Sequence, residues 1–380
     1  MFSSNKKIKK YFILGNVNEH DVILALVDKN SKNIIAKSKV STTINNDHDD
    51  ARKFAEIGRI FELSLNQLVK KINHKTILNK NIAISNAIIF YGLPWFHAHI
   101  KNITLKKSSP FKLTEESLNK IIANERSNIC DINQSTNGNI GIDVVDCHIA
   151  EIFINGSATE SPFNKEADEV LINAIIITAY ADITKKIKSL LDAHFNDLII
   201  NFKSALTSDI DYITNIIYSD TYPYTISLKI RDNITEIIVF KGSKVTVVNS
   251  LPYGRRDIVV DISKGIGTSL ESAETLLNLY IDGAIDEKNH AILQRITNNF
   301  ANLLIEDIVL FAEKSGLSRK ELEHTQLVLI GQSSYINLLF ILLKPSSLFK
   351  KIKKDENNFF HPVDEDIHRD VELTLKVLHR

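Results

Sequence analysis

Short apolar runs broken by polar turns alternate along this chain with longer amphipathic stretches, the pattern of an α/β protein. Tyr11–Leu14 and Val22–Val27 read as two strands around a polar turn. Asn81–Tyr91 and Phe96–Leu105 read as two more, joined through Leu93-Pro94 and Trp95. Thr114 is an N-cap signal, and Glu115 and Glu116 in the next turn favour the positive end of a helix. Strands are predicted at Ile140–Ile149, Ala150–Ile154 and Glu169–Ala179, then a helix over 182–194 and a strand at Leu198–Phe202. The richest stretch is 225–284. There Ile226–Ile230 and Glu236–Phe240 flank a tight polar turn, Val245–Val248 forms a third run, and Leu251-Pro252 and a glycine lead into two helical stretches. Leu327–Ile330 predicts a late strand, and Ile336–Leu343 a buried helix.

Composition narrows the class. A chain of 380 residues exceeds one compact core and predicts two or more domains. Hydrophobic residues at 44% and charged residues at 24% describe a globular protein. The net charge of +0 gives no general attraction to nucleic acid or to anionic membrane. No apolar run reaches the roughly 18–20 residues of a spanning helix, and lysines 6, 7, 9 and 10 are not followed by a secretory apolar region. Cys130 and Cys147 lack metal spacing and fit a reducing compartment, with a mutual pairing left open.

Residues 225–284 resemble the start of the second domain of actin-like ATPases, in the FtsA and PilM branch. That branch carries roughly D-I-G-G-G-T-T-D-I, then L-P-x-G-G-x-x-I-T-x-D-I-A, A-E-x-L-K and Y-G-x-A. Gly254, Ile258, Asp261, Ile262, Ala273, Glu274, Tyr280 and Ala284 fall at its spacing. Asn155-Gly156, Ser161-Pro162-Phe163 and the strand after them resemble the branch's small inserted subdomain (1C, or SHS2). The resemblance implies an α/β, actin-like (RNase-H-like) two-domain fold. Residues 1–81 and 168–218 would form the first domain, 82–167 the insert, 219–364 the second domain, and 365–380 a helix returning to the first.

The positions that would touch nucleotide are mostly changed. In the first phosphate loop Ile13 stands where the family has its metal-holding Asp; Gly15 is kept, followed by Asn16. Isoleucine has no oxygen for magnesium. In the second loop the opening Asp becomes Lys229, and the glycines become Arg231, Asp232 and Asn233; Glu236 takes the last Asp position. A phosphate cradle needs close backbone approach, which glycines allow. An ordinary hairpin turn is the plainer reading, although Lys229 and Arg231 can attract an anion as point charges. At the adenosine end Gly331 is kept and Gln332 follows; the lysine after A-E-x-L is Leu277. If nucleotide is held, Gly15, Asn16, Arg231, Asn233, Gly254, Glu274, Gly331 and Gln332 are the contacts, and ATP affinity is expected to be weak or absent.

Other signals are minor. His97 and His99 share a strand face without an evident third metal ligand. Asp257 reads as an early-turn helix acid, and Lys350–Lys354 as a solvated run or a contact with acidic lipid or a partner. No Ser-His-Asp, P-loop or nucleophilic-cysteine pattern is present. Trp95 and Phe96 are either core or an aromatic contact patch.

The resemblance thus implies a non-catalytic scaffold like PilM, in a type IV pilus or secretion assembly. Its partner would be the cytoplasmic tail of an inner-membrane protein, held in a groove beside residues 82–167 with Trp95 and Phe96 as contacts. FtsA-like proteins continue into a membrane-binding helix; here the sequence ends at Arg380, so membrane contact is expected through the partner, with self-association also open. An FtsA-like division protein and an ATPase with a rearranged site are the alternatives.

Overall fold

The computed structural model describes residues 9–42, 50–76, 82–136, 141–159, 161–214, 222–330 and 333–343. Contacts divide the chain into two units, the first reaching Tyr212 and the second starting at Ile213.

The first unit opens with β1 (Lys9–Val17), β2 (Asp21–Asp28) and β3 (Ile34–Ser41), then the long helix α1 (Asp50–Thr76) and β4 (Ile82–Tyr91). Next come β5 (Phe96–Lys112), α2 (Glu115–Thr136), β6 (Ile142–Ile154), the short β7 (Ser157–Ala158) and β8 (Glu166–Tyr180). It ends with α3 (Ala181–His194), β9 (Ile199–Ser204) and α4 (Ala205–Tyr212). A five-stranded sheet runs β3-β2-β1-β4-β9. β1, β2 and β3 pair antiparallel; β4 lies parallel to β1 and β9 parallel to β4. Parallel strands are buried on both faces, so Ala87–Tyr91 of β4 is a continuous buried apolar run rather than an alternation. One face of this sheet clusters Phe12, Leu14, Ala25, Val27, Ile88 and Phe90.

A second sheet of the same unit runs β5-β8-β6-β7, all antiparallel. α2 covers one of its faces: Leu118 and Ile122 cluster with Val170, Ile172 and Ala174. The sheets redraw the insert read as 82–167. Ile82–Tyr91 belongs to the five-stranded sheet through β1 and β9. The small sheet starts at Phe96 and runs to Tyr180, because β8 pairs with β5 and β6 along nearly its full length. The two strands expected at 140–149 and 150–154 are one strand, β6, whose register shifts between Ile149 and Glu151.

The second unit holds β10 (Tyr224–Ile230), β11 (Thr235–Lys241), β12 (Lys244–Leu251), α5 (Arg255–Ile266), α6 (Leu270–Ile281), α7 (Glu287–Lys314), α8 (Arg319–Leu322), β13 (Gln326–Leu329) and α9 (Ser333–Leu343). Its sheet runs β12-β11-β10-β13, with β13 parallel to β10. It repeats the scheme of the first sheet: three antiparallel strands, then a crossover to a parallel one. β10 is buried at every position and packs with α5, α6, α7 and α9 in one core. Local signals set the helix ends. Gly267 closes α5 in the left-handed region at φ 74°. Ser269 caps α6, and Asp286 caps α7 by accepting from Asn289 N at 3.0 Å. The segment expected as a C-terminal helix, 365–380, and the Lys350–Lys354 run lie outside the described residues.

Candidate functional site

In the first hairpin, Gly15 faces Leu24 and Ile23 of β2 and Ile89 of β4. A Cβ added there would lie 2.7 Å from both Ile89 Cδ1 and Leu24 Cδ2. The glycine packs inside the sheet against the ends of two side chains, which would have to shift to admit a Cβ. Ile13 is wholly buried, and Asn16 is buried as well. The turn after β1 is braced by its own side chains: Asn18 Nδ2 donates to Asp21 Oδ1 at 2.8 Å, and Lys39 Nζ lies 3.1 Å from Asp21 Oδ2. Asp21 is thus engaged by both neighbours.

The second hairpin is filled from within. Lys229 pairs across the ladder with Glu236, and both are buried. Arg231 N donates to Ile234 O at 2.8 Å, closing the turn, while Arg231 Nε donates to Glu236 Oε1. The arginine thus turns back onto the glutamate of the facing strand. Asn233, at the tip, is also buried. The N-terminus of α5 docks directly on this turn. Arg255 N donates to Arg231 O and Arg256 N to Asp232 O, each at 2.8 Å. These are the first amides of a helix, the groups that otherwise meet an anion. Gly254 permits the docking: a Cβ there would fall 2.4 Å from Arg231 O and 2.6 Å from Asp232 O. Asp257 Oδ2 accepts from Gly254 N at 2.8 Å, so it caps the helix from its first turn.

The loop before α5 is pinned as well. Tyr253 donates to Asp307 Oδ2 at 2.5 Å, and its ring meets Phe300 edge-on at 5.2 Å. Burial and then Asp307 push the Tyr253 hydroxyl well above the ordinary phenol range. Glu274 is held by Arg255, whose Nη1 lies 2.6 Å from Glu274 Oε1 and whose Nη2 donates to Asn278 Oδ1 at 3.0 Å. It is an α5–α6 staple. Leu277 is fully buried. Gly331 and Gln332 lie outside the described residues.

Trp95 and Phe96, expected as partner contacts, are both 2% exposed. Trp95 Nε1 donates to Asn18 O at 2.8 Å, and its ring sits edge-on to Phe54 at 6.4 Å. Phe54 in turn touches Tyr180. The pair fastens the start of the small sheet to the first hairpin and α1, which consumes the surface a partner would need. His97 and His99 are placed on strand β5 with Tyr180 Oη at 3.2 Å and Thr178 Oγ1 at 3.1 Å. Among the described residues no group of three or more His, Cys, Asp or Glu side chains is arranged for a metal.

Sequence reasoning missed a polar network on the other face of the small sheet. Cross-strand partners share a face. Asp146 and Ile177, His148 and Ile175, and Glu151, Asn173 and Asn102 therefore line the face opposite α2. Asp146 is the hub. Its Oδ1 accepts from Cys147 N and Lys203 Nζ, each at 2.9 Å, and its Oδ2 from Thr207 Oγ1 at 2.6 Å and Ser204 N at 3.3 Å. His148 Nδ1 lies 3.6 Å from Asp211 Oδ1. Burial holds the His148 imidazole below its ordinary range, against the opposing pull of Asp211. Burial also pushes the Cys147 thiol up. These contacts tie β6 to β9 and α4. Further along the same face Ile100 is 38% exposed, and the buried Asn173 carboxamide has neither its Nδ2 nor its Oδ1 hydrogen-bonded. The visible sequence signal was a lone Asn inside the apolar run Val170–Ala179.

No family model matches this sequence, and no curated protein matches it. Solved structures do. A PilM–PilN type IV pilus biogenesis complex matches at TM-score 0.58 and 12% identity, covering 96% of this chain and 97% of that one. Ethanolamine utilization protein EutJ from Carboxydothermus hydrogenoformans matches at TM-score 0.47 and 10% identity, over 96% and 89%. A Bacteroides thetaiotaomicron protein of actin-like ATPase fold and unknown function matches at TM-score 0.41 and 11% identity, over 98% and 99%. The repeated sheet scheme and the first of these likenesses, spanning nearly all of both chains, establish the fold: a two-domain, actin-like α/β protein.

Proposed function

We propose that this chain is a non-hydrolysing actin-like scaffold that grips the cytoplasmic tail of an inner-membrane protein in a type IV pilus or secretion assembly. The observation that carries the reading is the β10–β11 turn. Where the resemblance puts a glycine cradle for phosphate, Arg231 folds onto Glu236 and the turn carbonyls take the first amides of α5. A phosphate would have to displace both. Isoleucine at position 13 offers no oxygen to magnesium, so these residues do not fit MgATP of the expected kind.

The partner half of the proposal draws on the match to a complex in which PilM is held with PilN. It also draws on the exposed face of the small sheet. Ile100 and Asn102 are exposed there, while the Asn173 carboxamide beside them is buried, so the exposed pair is what a partner would meet. No helix among the described residues is long and apolar enough to cross a membrane, which suits attachment through a partner.

The test is co-expression of the full chain with single-span membrane proteins encoded beside its gene, followed by membrane sedimentation. One of them should carry the chain into the membrane fraction, and Ile100→Glu should release it while leaving the folded fraction unchanged. Recruitment by none of them, or recruitment untouched by Ile100→Glu, overturns the assignment.

A further inference from the structure

Each of the three sheets has one outermost strand of eight residues or more: β3, β5 and β12. An outer strand offers a row of backbone donors and acceptors, and folded proteins guard it with lysines, prolines or bulges. β3 carries Lys37 and Lys39, and Lys71 Nζ donates to Lys37 O at 2.7 Å. β5 carries Lys101, Lys106, Lys107 and Lys112, with a break in register between Lys106 and Phe111. β12 differs from both. Its charge, Lys244, stands at its first position, and Val245–Leu251 (Val-Thr-Val-Val-Asn-Ser-Leu) holds none. Its register shift lies near that same end, which leaves Val247–Leu251 in unbroken register with β11. Val247 pairs with Val239 and packs on the helix-covered core; Val248 pairs with Ile238 on the opposite face and is half-buried. The Ser250 amide donates to the side chain of its own neighbour, Asn249 Oδ1, at 2.8 Å, which turns it away from β11. Residues alternate in this respect along an antiparallel pair, so Val248 also presents its N–H and C=O outward.

We propose that β12 pairs antiparallel with β12 of a second copy of this chain, joining two four-stranded sheets edge to edge. The strand matches itself. A two-fold axis at Val248 sets Val248 beside its own counterpart and Ser250 beside Thr246, with β-branched side chains across the seam, which suit cross-strand contact. No like charges meet at the seam: the two Lys244 residues lie at opposite ends of the pairing, well beyond the roughly 8 Å over which charges act in physiological salt. Such an interface uses the same surface on both copies, so it closes at two. A strand of another protein is the other occupant, but an uncharged run of small side chains selects no particular foreign sequence. One strand pair is a small interface, so the dimer is weak, with a dissociation constant in the micromolar range.

The experiment is sedimentation velocity of the full chain from about 1 to about 300 µM, which spans a micromolar equilibrium. The parent should shift from monomer to dimer across that range. Val248→Lys and Val248→Glu each set like charges face to face at the axis and should raise the dissociation constant at least roughly tenfold. Mixing the two variants should restore the dimer, because the facing charges are then opposite. Ser250→Pro removes an outward amide without touching the ladder to β11 and should also give monomer. Circular dichroism and the urea midpoint verify that each variant is folded. A parent that stays monomeric throughout overturns the proposal. So does a dimer that survives in Val248→Lys and Ser250→Pro, or a mixture that associates no better than either charge variant alone.

Discussion

Replacing Gly254 by alanine separates a scaffold glycine from a ligand glycine. The residue sits in extended backbone (φ −156°, ψ −156°), which alanine can adopt, so the cost comes from contact alone. The added Cβ would meet Arg231 O at 2.4 Å, Asp232 O at 2.6 Å and Asp232 C at 2.8 Å. All three are backbone atoms and cannot rotate away. Overpacking of this kind costs about 1–3 kcal/mol. If α5 backs off instead, the Arg255 and Arg256 amides lose their bonds to the turn, about 1 kcal/mol each. Restricting the unfolded chain returns about 0.4–1 kcal/mol. Gly254→Ala should therefore lose about 2 kcal/mol of stability. Urea unfolding gives the global figure, and hydrogen exchange read by mass spectrometry over 250–260 gives the local one. The amides of Arg255 and Arg256 should exchange faster than in the parent chain. Stability within about 0.5 kcal/mol of the parent, with unchanged exchange there, would refute the docking argument.

Asp146→Ala removes the acceptor of four hydrogen bonds and leaves Lys203 unpaired; urea unfolding should show a loss of about 2–4 kcal/mol, and Asp146→Asn a smaller one. Asn173→Val removes a buried unsatisfied carboxamide and should stabilise the chain by about 1 kcal/mol in urea unfolding. Burial lowers the affinity of His97, His99 and His148 for protons, so the unfolded chain binds protons that the folded chain refuses. Stability from these groups is full above the unfolded histidine value of about 6.5 and falls as pH drops through it toward the folded values. Melting temperature should decline between about pH 7 and pH 5, and His148→Gln should flatten that decline; an unchanged profile would contradict the assignment.

The second unit was legible because its strands are buried on both faces. Ile237–Phe240 is an unbroken apolar run, Ile226, Leu228 and Ile230 alternate with Ser227 and Lys229, and Gly254 marks a helix start that a close approach explains. That positions 13, 229 and 231 carry isoleucine, lysine and arginine was plain from residue type. What those side chains do was not. That Arg231 turns onto Glu236 depends on cross-strand register, and that Gly15 is held by Leu24 and Ile89 depends on two strands far apart in sequence. Trp95-Phe96 reads alike as core or as contact patch, and only the Asn18 carbonyl and the Phe54 ring decide for core. The Asp146 network joins residues separated by up to 61 positions, so no local pattern could reveal it. The edges of the small sheet were misread because β4 and β8 are both apolar, and sheet membership is fixed by pairing rather than by composition.

The central claim is that the frame persists without nucleotide chemistry, and phosphate release from ATP tests it most directly. With millimolar MgATP and the full chain, release should not exceed the rate with buffer alone. Glu236→Gln, which keeps the side-chain shape and removes the charge that Arg231 holds, should behave the same. Magnesium-dependent release that Glu236→Gln abolishes while the chain stays folded would contradict the account.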